Sequence, residues 1–184
     1  ALDLEEAALL GENLATTHDA TPTGDGDTFL KAFNGYLGTS YASRNDLAAA
    51  NGVYTVQFQE IMDTMPTKYL RNLSSMSHFV DYATYHAYQQ QLAIRATQLG
   101  DSTITGAGEV FAYGVPLAPV ALMPANTALF CDPLNLLMGI QRKITVEFDK
   151  DITTREFIFV VTSRVDFAIE EETAVVKVTA LDGV

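Results

Sequence analysis

Cysteine occurs once in the 184 residues, at Cys131, and tryptophan not at all. One thiol cannot close an internal disulfide, so nothing in the sequence points to an oxidising compartment. No apolar run approaches the roughly 18 residues that would read as a membrane span, and the first residues do not match a secretory signal pattern. Positive charge is the other shortage: 11 Lys and Arg stand against 23 Asp and Glu, a net charge of −12. The basic residues gather no further than pairs such as Arg142-Lys143. That argues against a nucleic-acid binder, which neutralises phosphates with basic clusters, and for a solvated acidic surface. The HExxH, GxSxG, CxxC and GxxxxGK(S/T) motifs are also absent, and with them the commonest short signatures of catalysis and nucleotide binding.

What is present is apolar: hydrophobic residues make up 48% of the chain, enough for the interior of one large domain or two small ones sharing a core. Ala1 is not an initiator methionine, and LDLEEAALLGE starts in what reads as a helix closed by Gly11. The sequence is therefore expected to continue a longer chain. Residues 12–28 are polar and turn-rich; their DGD lacks the spacing of a calcium loop and reads as a surface loop. FLKAFNGYL comes next, closed by the turn pair Asn34-Gly35. Tyr54, Phe58, Ile61, Met62 and Met65 fall on one face of a helix that Pro66 stops, with Gln57, Glu60, Asp63 and Thr64 on the other. SMSHFV reads as a short strand. Asp81 is placed to cap a helix over 82–99 with a stripe of Tyr85, Tyr88, Leu92, Ala96 and Leu99.

GAGEVF resembles a nucleotide loop only superficially, because VFAYGVPLAPVAL after it reads as strand and not as a helix that could receive phosphate. KITVEFD alternates, with Ile144, Val146 and Phe148 one way and Thr145 and Glu147 the other. In REFIFVVTSRVDFAIEEE, Phe157 to Val161 is continuously apolar, which predicts cover on both faces. Val165, Phe167 and Ile169 then alternate inward, giving a strand of about 14 residues, far above the usual 5 to 6. AVVKVTAL is a closing strand.

Chemistry, if any, would centre on TALFCDPLNLLMGI. Cys131 could be a nucleophile at a helix start with His78 or His86 as its base. It could equally be the small apolar end of a buried strand. Asp132 beside it disfavours a thiolate by like charge. Asp132 and Pro133 suit the cap and first position of a helix over LNLLMGI, which Gly139 would release into the strand at Lys143. Glu170-Glu171-Glu172 at a strand end reads as a solvated cluster that guards an edge, with nothing nearby to suggest a shifted pKa.

The order VFAYGVPLAPVALMP, TALFCDPLNLLMGIQRKITVEFDKD, TREFIFVVTSRVDFAIEEETAVVKVTAL resembles that of the major capsid proteins of tailed bacteriophages, the Hong Kong 97-like shell fold. A Gly-apolar-Pro-apolar strand, a DP step, a strand with its turn, a long strand of R-x-D-F-A type and a terminal strand carry the likeness. Upstream, EEAALLGE, a loop and FNGYL look like the end of that family's spine helix and the small glycine-rich segment after it. The resemblance runs from about residue 4 to 181 and is strongest from Val110. It implies an α+β fold, mixed sheets flanked by helices, in two domains: peripheral (1–40 with 141–172) and axial (41–140 with 173–184). It further implies that an N-terminal arm, an extended loop and most of the spine helix precede residue 1. Some family members crosslink through a lysine on that loop, so no crosslinking residue is carried over.

The function implied is a structural subunit of an icosahedral phage or prophage capsid, in the virion and in the host cytoplasm during assembly. Its partners would be other copies of itself, as hexamers and pentamers through heterologous interfaces, and scaffold, portal or decoration proteins. No sequence-specific nucleic acid, membrane, cofactor, metal or catalytic residue is expected. Three alternatives stand beside it: an encapsulin-type bacterial shell protein, a phage tail or neck module, and a cysteine-dependent hydrolase or acyl transferase.

Overall fold

Among the described residues the strands do not gather into one sheet: six form a mixed sheet and the two longest pair only with each other. The computed structural model describes residues 8–9, 35–38, 41–49, 52–94, 110–151 and 153–182. The loop over 12–28, residues 29–34 of FLKAFNGYL, residues 106–109 of GAGEVF and the second helix beyond Ile94 lie outside them, as does the opening helix except for Ala8 and Leu9, which are helical.

The six-stranded body runs β1-β8-β5-β2-β4-β3. Its members are β1 (Asn45–Ala48), β2 (Ser77–Val80), β3 (Phe111–Ala112), β4 (Val115–Pro119), β5 (Ala128–Cys131) and β8 (Val176–Thr179). β1 with β8 and β2 with β4 are parallel; the other neighbours are antiparallel. Helices α1 (Tyr54–Thr64) and α2 (Tyr82–Ala93) pack on one face. The other face carries a smaller cluster: Tyr36, Leu37, Met123, Leu129, Cys131, Phe167, Ile169 and Val175.

The helical stripe of α1 is as its spacing predicts: Tyr54, Phe58, Ile61 and Met65 are buried. Gln57 is the exception. Predicted on the polar face, it is buried because its Nε2 donates to the Asp182 carbonyl at 3.0 Å, and a hydrogen-bonded amide is tolerated in a core. Asp81 caps α2 as expected, accepting from the N–H groups of Ala83 at 3.1 Å and Thr84 at 3.2 Å.

Two expectations are corrected. The predicted continuous strand from Val110 is a hairpin: Ala112 pairs with Val115 across Tyr113 and Gly114, at φ 51° and 83°. Two positive-φ residues make the type I′ turn that matches strand twist. Tyr113 holds this uncommon geometry while its hydroxyl donates to the Thr55 carbonyl at 2.8 Å. The predicted helix over LNLLMGI is one 3₁₀ turn, Pro133–Asn135. Asp132 caps it, accepting from the Leu134 N–H at 3.0 Å. From Leu136 the chain instead pairs with the next long strand, starting with Leu136 opposite Ile169. Those ladder bonds override the helix start signal.

Among the described residues, His78 is the histidine of the core. It is 0% exposed in central strand β2, with its ring stacked on Phe130 at 4.5 Å and edge-on to Phe58 at 5.1 Å. Neither ring nitrogen has a hydrogen-bond partner. Burial therefore holds the imidazole neutral and depresses its pKa from 6.5 to about 3. A depressed histidine stabilises the fold fully above its unfolded pKa and loses that contribution as pH falls toward the folded value. Equilibrium denaturation should show stability falling by about 2 kcal/mol between pH 6.5 and 5 from this group. His78→Leu should flatten that part of the curve.

Candidate interaction surface

The two longest strands, β6 (Leu136–Asp151) and β7 (Glu156–Ile169), form an antiparallel ribbon of their own. Directly opposed residues share a face, so the register decides what the ribbon presents. Val146 faces Val161, Phe148 faces Phe159 and Lys150 faces Phe157. With Ile144 these make one apolar face. The reverse face pairs Thr145 with Thr162, Glu147 with Val160 and Asp149 with Ile158, alternating acid and aliphatic.

Two irregularities in β6 keep the apolar face continuous. Between Ile140 and Arg142, and again between Arg142 and Thr145, β6 carries one residue more than β7. One extra residue reverses the alternation of side chains, and a second restores it. Met138 and Ile140 at the base therefore lie on the same side as Ile144, Val146 and Phe148 beyond. On β7 the alternation is unbroken from buried Ile169 and Phe167 to Phe157.

The distal face is bare. Phe148 is 80% exposed, Phe159 70% and Phe157 68%, with Ile144, Val146 and Val161 also exposed. The predicted two-sided cover of Phe157–Val161 is thus corrected: among the described residues neither side is covered. Apolar content reported that a contact is needed, not that this chain supplies it. Contiguous apolar patches of this kind mark interaction sites, and a two-stranded ribbon is marginal alone. The charge distribution agrees. Residues 136–169 hold five bases (Arg142, Lys143, Lys150, Arg155, Arg164) and five acids (Glu147, Asp149, Asp151, Glu156, Asp166), so the entire net charge of −12 lies elsewhere. Like-charge repulsion of an approaching surface is thus weakest at the ribbon.

Polar bonds tie the ribbon base to the body. Tyr36 packs edge-on to Phe167 at 6.0 Å and its hydroxyl donates to the Leu137 carbonyl at 3.0 Å. Burial first, then nearby Tyr41 and Cys131, push its pKa up to about 12, which keeps it a neutral donor. The acidic triplet is structural as well as solvated. Glu171 accepts from Tyr69 at 2.9 Å and from Thr173, and these bonds, Thr173 first, hold its carboxyl below the usual range. Glu172 accepts from the Ser43 N–H at 2.8 Å.

The proposed thiol chemistry does not assemble. Cys131 pairs with Ser77, and His78 pairs with Phe130, so the thiol and the imidazole point to opposite faces of the sheet. His86 is exposed on α2, which packs on the histidine face, and His18 lies outside the described residues. Cys131 is fully buried; burial, then the charge of Asp132, push its pKa up to about 12. It is a small apolar core residue. Among the described residues no group of three or more His, Cys, Asp and Glu could hold a metal, and no helix is long and apolar enough to cross a membrane.

A mixed sheet with two helices on one face and a long ribbon at one end is the fold of phage capsid proteins, as the sequence resemblance implies. A satellite phage P4 procapsid that includes the size determination (Sid) protein matches at TM-score 0.56 and 16% identity, over 100% of this chain and 63% of that one. A virus-like particle from Pyrococcus furiosus matches at 0.52 and 10%, over 96% and 63%. The capsid of an empty GTA particle matches at 0.52 and 15%, over 86% and 63%. In sequence, the chain is 30% identical over 191 residues to the "Putative prophage capsid protein YqbE" of Bacillus subtilis (strain 168), a match covering 97% of this chain. The chain spans 57% of the length of that relative. No family model matches.

The burial of Cys131 gives a direct check. Iodoacetamide should leave the folded protein unlabelled at pH 7.5 and label it fully in denaturant, as read by intact mass. Rapid labelling of the native protein would restore the thiol-enzyme reading.

Proposed function

We propose that this chain is the structural subunit of an icosahedral phage capsid, self-associating as hexamers and pentamers to enclose the genome. The observation that carries the reading is the bare apolar face of the β6–β7 ribbon, charge-balanced in an otherwise acidic chain. The capsid-type fold and the prophage relative support it. That relative also favours a phage shell over an encapsulin-type compartment or a tail module. The role is structural and not enzymatic: Cys131 is buried, on the sheet face opposite His78 and α2. An acidic body suits a container that holds nucleic acid without adhering to it.

In this reading the peripheral domain comprises 1–40 with 141–172 and the axial domain 41–140 with 173–184. Scaffold, portal or decoration proteins would meet the assembled shell, which forms in the host cytoplasm and becomes part of the virion.

Electron microscopy of the full-length parent tests this. Wild type should form closed shells. Phe148→Asp with Phe159→Asp should raise the concentration needed for assembly at least about a hundredfold, since each buried Phe is worth roughly 1.5–3 kcal/mol. Shells from the double variant at wild-type yield would overturn the reading.

A further inference from the structure

Only two stretches of chain join the ribbon to the body: Asp132–Asn135 between β5 and β6, and Glu170–Val175 between β7 and β8. Each contains one 3₁₀ turn, Pro133–Asn135 in the first and Glu172–Ala174 in the second. A single residue fuses them. The Asn135 side chain donates from Nδ2 to the Glu171 carbonyl at 3.0 Å and accepts at Oδ1 from the Glu171 N–H at 2.8 Å. Its own carbonyl accepts from the Glu170 N–H at 3.0 Å. The amide thus acts as an extra rung between the crossovers, where the ladder of the ribbon has ended.

The fused joint is bolted to the body through polar side chains. Ser75 donates to Asp132 at 2.8 Å, Tyr69 to Glu171 at 2.9 Å, and Asn45 to the Thr173 carbonyl at 2.9 Å. Asn135 itself is only half-buried and fills no core space. It is held by geometry: aspartate cannot donate to the Glu171 carbonyl, and alanine does neither.

We propose that Asn135 is a positioning residue that sets the angle of the ribbon on the body, and through it the curvature of the assembled shell. The inference rests on the shell reading above. Leverage makes a small side chain matter. The 16 residues of β6 extend roughly 50 Å at about 3.3 Å per residue. A change of about 5° at the base would move the tip by about 4 Å at that length. The exposed apolar residues lie on the distal half, so a loosened joint would let neighbouring copies meet at a range of angles.

Shells of the full-length protein, sized by electron microscopy, test this. Asn135→Ala should at least double the width of the diameter distribution or give open sheets. Asn135→Asp, which keeps the acceptor and the shape, should shift it in the same direction and serves where the alanine variant does not fold. Tyr113→Phe is the control: it removes one hydrogen bond at the opposite edge of the body and should keep the wild-type diameter. Wild-type distributions for both Asn135 variants, or equal broadening by Tyr113→Phe, would overturn the positioning role. Wild-type protein that forms no particle would overturn the shell reading itself.

Discussion

The antiparallel pairing of β6 with β7 is the constraint on which the rest depends. Thirteen pairs hold the two strands in register, and two extra residues in β6 leave the parity of that register unchanged. One bulge alone would turn Ile144, Val146 and Phe148 onto the acidic side and break up the apolar face. With both, one hydrophobic surface runs from the buried base at Phe167 to the bare distal half at Phe148 and Phe159. The base is covered by other described residues and the distal half is not.

The body is a rigid mount for this surface. α1, α2 and His78 fill one face of its sheet, and Cys131 with Leu129 and Tyr36 fills the other. The residues that a search for catalysis would pick, a lone thiol and a buried imidazole, are thereby separated by the sheet and withdrawn from solvent. Both have pKa values moved away from use, the thiol upward and the imidazole downward, chiefly by burial. Such shifts report packing as readily as they report active sites.

Much of this is legible in the sequence, and the failures share a cause. The α1 stripe, the Asp81 cap, the long strand β7 and the alternation of Ile144, Val146 and Phe148 come from local spacing. The helix predicted after Pro133 fails because the Asp-Pro start signal fixes only the first turn, whereas Leu136 has a strand partner 33 residues away. The Tyr113–Gly114 hairpin is hidden because tyrosine is a poor marker of a positive-φ turn. Phe157–Val161 is as apolar as it reads, but the cover that its composition predicts is not found among the described residues. Periodicity identifies a face and cannot say which molecule covers it. Asn135 carries no signal, since its role needs Glu171 brought beside it by the ribbon.

Hydroxyl-radical footprinting of the full-length protein, as free subunits and as assembled shells, tests the central claim most directly. The account predicts that oxidation of Phe148, Phe157 and Phe159 falls severalfold on assembly, while exposed Tyr82 on α2 changes much less. Equal oxidation of the three phenylalanines in both states would contradict it, because the apolar face of the ribbon would then not be a surface that assembly buries.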